Sequence, residues 1–220
     1  MSEAEAALAA LQAFGSDPAM IRSRIGVLEN TVEGLDGESA YVAAEEAGAT
    51  GSLLAGALLV KQLSGQVNVV IHAVGILQAL PFVLAPEEKV IAVSLGAGSG
   101  HKDWDLETDR QIAEFKFIRW RGNDSIRQNT LFVDVFHLAE ATTDRRRVVY
   151  LTGTELPLRF LNGRRKISSV LEKHGADAER FQALHGSRYQ TVGDYWSDVR
   201  KFVEIVDLVE ATSLDWGLQS

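Results

Sequence analysis

The stretch that decides the fold reads Asp105-Leu-Glu-Thr-Asp-Arg-Gln-Ile-Ala-Glu114-Phe115-Lys116. Side chains alternate faces along a strand, so residues two apart look the same way. A strand over 112–120 places Glu114 and Lys116 on one face and Phe115 and Phe117 on the other. A preceding strand over 103–108 lines Asp103, Asp105 and Glu107 along a single face. Joined as a hairpin, the two strands bring carboxylates and an ammonium together. That set suits a hard divalent cation beside a polarised water.

Outward from the hairpin, Lys-Val-Ile-Ala-Val-Ser-Leu at 89–95 is β-branched and predicts a buried strand. A second strand is expected over 146–151, ending at Thr152-Gly153. Between them, Ser125 is placed to cap an amphipathic helix to about Ala141, with Ile126, Leu131, Val135 and Leu138 as its apolar face. Residues 66–80 form a strongly apolar segment, read as a buried helix stopped at Pro81; Asn68, His72, Gln78 and Pro81 make 67–84 too polar and interrupted to span a bilayer.

The N-terminal 65 residues read as a helical extension. Ser2 caps a helix that ends before Gly15, and Asp17-Pro18 opens another with Met20, Ile21, Ile25 and Leu28 as its apolar face. A loop is expected over 34–39, then alanine-rich helix over 40–63 with breaks at Gly48 and Gly51. Further helices are expected over 163–173, over 177–184 and from Thr191, while 202–209 reads equally as helix or strand. The order gives one mixed α/β domain over 66–220.

Cysteine is absent, which removes disulfides and thiolate metal sites and is compatible with a cytoplasmic location. No basic start precedes the alanine-rich first residues, so no secretory signal is expected. The net charge of −8 argues against general polyanion binding, but its distribution is uneven. Residues 116–166 hold 11 Lys/Arg against 5 Asp/Glu, and the rest of the chain holds 11 against 25. A basic zone of this kind can contact phosphates locally, but charge alone favours solvated surface arginines.

Gly96-x-Gly98-x-Gly100 follows the first strand, as phosphate-binding glycine loops do. That chemistry needs a helix opening directly after the glycines. His101-Lys-Asp-Trp-Asp lacks helical periodicity, so a connection between strands is the better reading and nucleotide binding the minor one. In the hairpin, Asp105 and Glu114 supply oxygen ligands for Mg²⁺, and Lys116 is placed to orient an attacking water and assist its deprotonation.

The order of strand, acidic hairpin, helix and strand over 66–151 resembles the PD-(D/E)XK nuclease superfamily, with its restriction-endonuclease-like fold. The resemblance implies an α/β core with a mixed sheet flanked by helices, and Mg²⁺- or Mn²⁺-dependent hydrolysis of phosphodiesters, in DNA more than RNA. It assigns the metal to Asp105, Glu114 and the backbone carbonyl of Phe115, and the catalytic lysine to Lys116. Gln128 matches a glutamine that some exonuclease-like members carry on the following helix. Many members also place a glutamate on the preceding helix; here that helix offers only Asn68, His72 and Gln78, which leaves one metal or two open. For His72, a hydrogen-bonded core histidine is the first expectation.

Glu107 is a secondary ligand candidate. Arg119, Arg121, Arg127, Arg145-Arg146-Arg147 and Arg164-Arg165-Lys166 are candidates for phosphate contacts, and Trp104 and Trp120 for packing or base stacking. A non-catalytic nucleic-acid-binding or assembly protein on the same fold, acting as a homo-oligomer or with a protein partner, is the alternative.

Overall fold

In a computed structural model, which describes residues 2–96, 103–117, 120, 122 and 124–212, the hairpin pairs Leu106 with Ala113 and Glu107 with Ile112. Its strands are shorter than the alternation predicts: β2 is Leu106–Thr108 and β3 is Gln111–Lys116. The turn closes on Thr108, whose hydroxyl accepts the N–H groups of Arg110 and Gln111. β1 (Val90–Val93) pairs antiparallel with β2 at the sheet edge, where Val90 and Ile91 are exposed, so the expected buried strand is corrected; β4 (Arg146–Leu151) and β5 (Val203–Asp207) add in parallel beyond β3. The result is one five-stranded mixed sheet in the order β1-β2-β3-β4-β5. The ambiguous 202–209 segment is therefore strand, followed by the short helix Leu208–Ala211.

The fold is α/β, with helices on both faces of the sheet. On one face, Ile112, Val149, Leu151 and Val203 pack with Leu131, Phe132, Val135 and Phe136 of the crossover helix Ser125–Glu140, and with the helices joining β4 to β5. On the other, Ala113, Phe115, Val148 and Tyr150 pack with Ile76, Ala79 and Val83 of the helix Gly51–Val83. β3 thus alternates between two apolar layers, so its sequence fixes which residues meet which helix.

Several expected boundaries shift for identifiable reasons. The crossover helix is capped by Asp124, whose carboxylate accepts the Arg127 N–H, and not by Ser125; Ile126 is exposed. The helix expected over 163–173 shrinks to Ile167–Val170. Backbone bonds from Gly193 to Gly163, from Val192 to Arg165 and from Ile167 to Gln190 hold the segment before it extended.

The contact pattern divides the chain into Met1–Asn68 and Val69–Ser220, within the helix Gly51–Val83. In the first unit, Ser2 and Glu5 form a capping box on Glu3–Phe14, and Asp17 caps Pro18–Val32. Met20 and Ile25 are exposed on that second helix, so its expected apolar face is not a buried one. The third helix, Gly37–Glu46, starts inside the segment expected to be loop because Asp36 caps it.

The apolar segment 66–80 is also corrected. It belongs to a 33-residue helix that runs through Ser64-Gly65 and past Pro81 to Val83. By length and composition alone, that helix is long and apolar enough to cross a membrane. It is not a buried helix: apolar on all sides, it buries only a stripe, and Val70 and Val74 stay about half exposed at 56% and 49%. In the second unit the stripe of Ile76, Ala79 and Val83 packs on the sheet layer of Phe115 and Tyr150.

Gly75 sets how closely that helix approaches. A Cβ there would lie 2.7 Å from the Phe117 ring, which also meets the His72 ring edge-on at 6.1 Å. Gly75→Ala is expected to cost about 1–3 kcal/mol through overpacking. Gly65→Ala, with open space around it, should instead stabilise the helix by up to about 1 kcal/mol. Thermal melts of the two variants check this, and an unchanged Tm for Gly75→Ala contradicts it.

Candidate active site

β3 delivers Glu114 and Lys116 to the face of the crossover helix, with Phe115 buried in the opposite layer. The Lys116 ammonium lies 3.4 Å from Glu114 Oε2 and 3.0 Å from Asp134 Oδ2 on that helix. Asp105, just before β2, accepts the Phe115 N–H at 2.9 Å through Oδ2, and its Oδ1 lies 3.1 Å from His72 Nε2. The N–H and C=O of one strand residue point the same way, so the Phe115 carbonyl faces the same strand edge as Asp105. Sequence and structure therefore agree in bringing Asp105, Glu114, Phe115 and Lys116 together.

Asp134 was not expected. The signal is present in the sequence: the buried stripe Leu131, Val135, Leu138 is interrupted by a carboxylate three residues after Leu131. A charge on the apolar side of a helix is costly unless paired, and Lys116 is its partner. His72, expected as a hydrogen-bonded histidine, donates to Asp105 Oδ1 at 3.1 Å.

Other candidates are engaged elsewhere. Gln128 lies about 120° around the helix from Asp134 and about 9 Å along it. It accepts from Arg165 Nη1 at 2.6 Å instead of joining the carboxylates. Glu107 is held by Arg145 at 2.9 Å, Arg146 by Glu204 at 2.7 Å and Arg127 by Asp124 at 2.7 Å. Arg147 donates to the carbonyls of Ala139, Ala141 and Thr143. Trp120 is buried beside Phe160, and Trp104 packs against the same layer. Asp103 and Asn68 are exposed. Arg119, Arg121, His101, Gly98 and Gly100 lie outside the described residues. β1 leads to the antiparallel β2, as expected for glycines that connect strands.

The cluster is largely buried: the Glu114, Asp134 and Asp105 side chains are 14%, 13% and 15% exposed. Three carboxylates there face one ammonium. Burial, reinforced by the Asp134 charge, pushes the Glu114 carboxyl up to about 9. Burial also pushes Asp134 up, against the pull of Lys116. For Lys116, burial disfavours the charge, but Asp134, Glu114 and Asp105 outweigh it and hold the ammonium above the usual lysine range. Burial likewise opposes ionisation of Asp105, and the His72 hydrogen bond, the Lys116 charge and the Phe115 N–H overcome it, leaving its pKa below the ordinary value. The Lys116 ammonium is thus held as a charged donor beside Glu114 and Asp134.

The surplus of buried carboxyl groups over cations is the observation that fits a divalent cation. Mg²⁺ takes one or two carboxylates and completes its octahedron with water and substrate oxygens. Among the described residues no ready-made set of three His, Asp or Glu ligands is arranged. Asp105, Glu114 and the Phe115 carbonyl are the donors that fit. Comparisons with family models, curated proteins and solved structures find no match for this chain.

The ionisation cost of Glu114 is absent below its ordinary pKa of 4.5 and grows as pH rises toward about 9. Glu114→Gln removes that cost. In metal-free buffer its Tm should exceed that of the wild type, by a margin that widens between about pH 5 and about pH 8. A lower Tm than wild type at both values contradicts the buried-charge account.

Proposed function

We propose that the chain is a Mg²⁺- or Mn²⁺-dependent nuclease on a restriction-endonuclease-like core, hydrolysing phosphodiester bonds in DNA. The observation that supports this reading most strongly is the convergence of Asp105 and Glu114 with Lys116, from a hairpin and its following helix, in a site with surplus negative charge. When bound, the metal supplies charge stabilisation at the scissile phosphate and a more acidic water.

The chain's own residues do the rest. Asp105 is fixed in orientation by His72 and the Phe115 N–H. Lys116, kept protonated by Asp134, directs an N–H at the attacking water or at a phosphate oxygen. A donor of fixed position and charge stabilises developing negative charge without reorganising. Asp134 acts through Lys116 and holds its ammonium in place. The basic balance of residues 116–166 supports a polyanionic substrate within an acidic protein.

Plasmid, linear DNA and RNA incubated with the wild-type chain and Mg²⁺ or Mn²⁺ test the reading. Cleavage of DNA is expected, lost in Glu114→Ala with the fold retained and reduced about 10²–10³-fold in Lys116→Ala. Wild-type rates in Glu114→Ala, with contaminating nuclease excluded, sink the assignment.

A further inference from the structure

A cleft of about 600 Å³ lies beside the crossover helix, and its lining includes none of the clustered carboxylates. Its floor is apolar, made by Leu156, Phe160 and Trp120, and its rim carries Arg159, Arg164 and Arg165. Arg159 is paired with Glu155 at 2.8 Å. Arg164 and Arg165 are different: among the described residues neither is paired with a carboxylate, and Arg165 meets only the neutral Gln128 amide. Three other arginines of the basic zone are spent on protein partners, Arg145 on Glu107, Arg146 on Glu204 and Arg127 on Asp124. Asp124, the carboxylate at the start of the helix lining the cleft, is neutralised by Arg127 and does not cancel the rim charge.

The rim is also fixed in place. Gly193 donates its N–H to the Gly163 carbonyl at 2.9 Å and Val192 to the Arg165 carbonyl at 2.9 Å. A Cβ at Gly193 would lie 2.8 Å from the Gly163 oxygen, so glycine is what lets the two backbones meet. Gln128 accepts from the Arg165 guanidinium and leaves its remaining N–H groups to point elsewhere. Two cations presented by a pinned backbone lose little entropy on meeting an anion.

We infer that this cleft is a second contact point for the nucleic-acid strand, taking backbone phosphates on Arg164 and Arg165 beside the cutting site. The inference rests on the nuclease reading for its substrate. Gln128 and Asp134 share one helix and stand about 9 Å apart along it. That distance corresponds to about two to three nucleotides at about 3.4 Å of rise per strand phosphate. The cleft therefore engages the strand just beyond the scissile bond, and it reads backbone rather than sequence. Gln128 serves here by orienting Arg165, not as part of the carboxylate site.

Fluorescence anisotropy of a labelled single-stranded DNA oligonucleotide of about 20 nucleotides, titrated with the full chain in EDTA over a range of salt, tests this. The double variant Arg164→Ala/Arg165→Ala is expected to bind more weakly and to lower the salt slope by about 1–2, equally for different sequences. Arg164→Glu, at an exposed position, should weaken binding further without disturbing the fold. Arg146→Ala removes one positive charge outside the cleft and should leave the slope near the wild-type value. An unchanged slope in the double variant, or an equal fall in Arg146→Ala, overturns the cleft assignment, as does a wild-type chain that binds no oligonucleotide. Cleft-dependent binding without metal-dependent cleavage would support the subsite while removing the nuclease reading. Cleavage with unchanged binding in the double variant would do the reverse.

Discussion

The ammonium of Lys116, held between Glu114 and Asp134, is the interaction on which the site depends. It ties the middle of the sheet to the helix that follows, across a face that is otherwise apolar. Phe115 anchors the opposite side of the same strand in a stack with Tyr150 at 4.8 Å. The strand therefore cannot slip by one residue without exchanging a charged pair for an aromatic core residue. A single period-2 alternation sets both the packing and the chemistry.

The same cluster is a cost to the fold. One ammonium does not balance three buried carboxylates, and unpaired buried charge is destabilising unless it is neutralised. Glu114 answers by holding a proton well above its ordinary range. At the other end of β3 the Gln111 side chain is satisfied. Gln111 donates to Glu88 and to the Val83 carbonyl, and accepts from Tyr150. The satisfied network at one end of β3 contrasts with a surplus of carboxyl groups at the other, which costs the fold stability.

Much of this was legible from local pattern. Alternation in 112–117, a β-branched run before it, the helix starts at Ser2 and Asp17-Pro18 and the start near Thr191 each correspond to elements present in the structure. What escaped depends on tertiary partners. Asp134 reads as one polar residue in an amphipathic helix until Lys116 is seen to face it. Gln128, at a promising position in the chain, is rotated away by helical geometry. The long apolar helix looked like core because hydropathy does not say how many sides are covered. Arg145, Arg146 and Arg164 look alike as sequence, and only the structure separates those with carboxylate partners from the one without.

A calorimetric titration of Mn²⁺ or Mg²⁺ into the full chain, near pH 7 in two buffers of different ionisation enthalpy, tests the buried-charge account most directly. The account predicts one saturable binding event that releases a proton from Glu114, tightens as pH rises toward about 9 and disappears in Asp105→Asn. Absence of saturable binding, or binding that Asp105→Asn leaves intact, would contradict it.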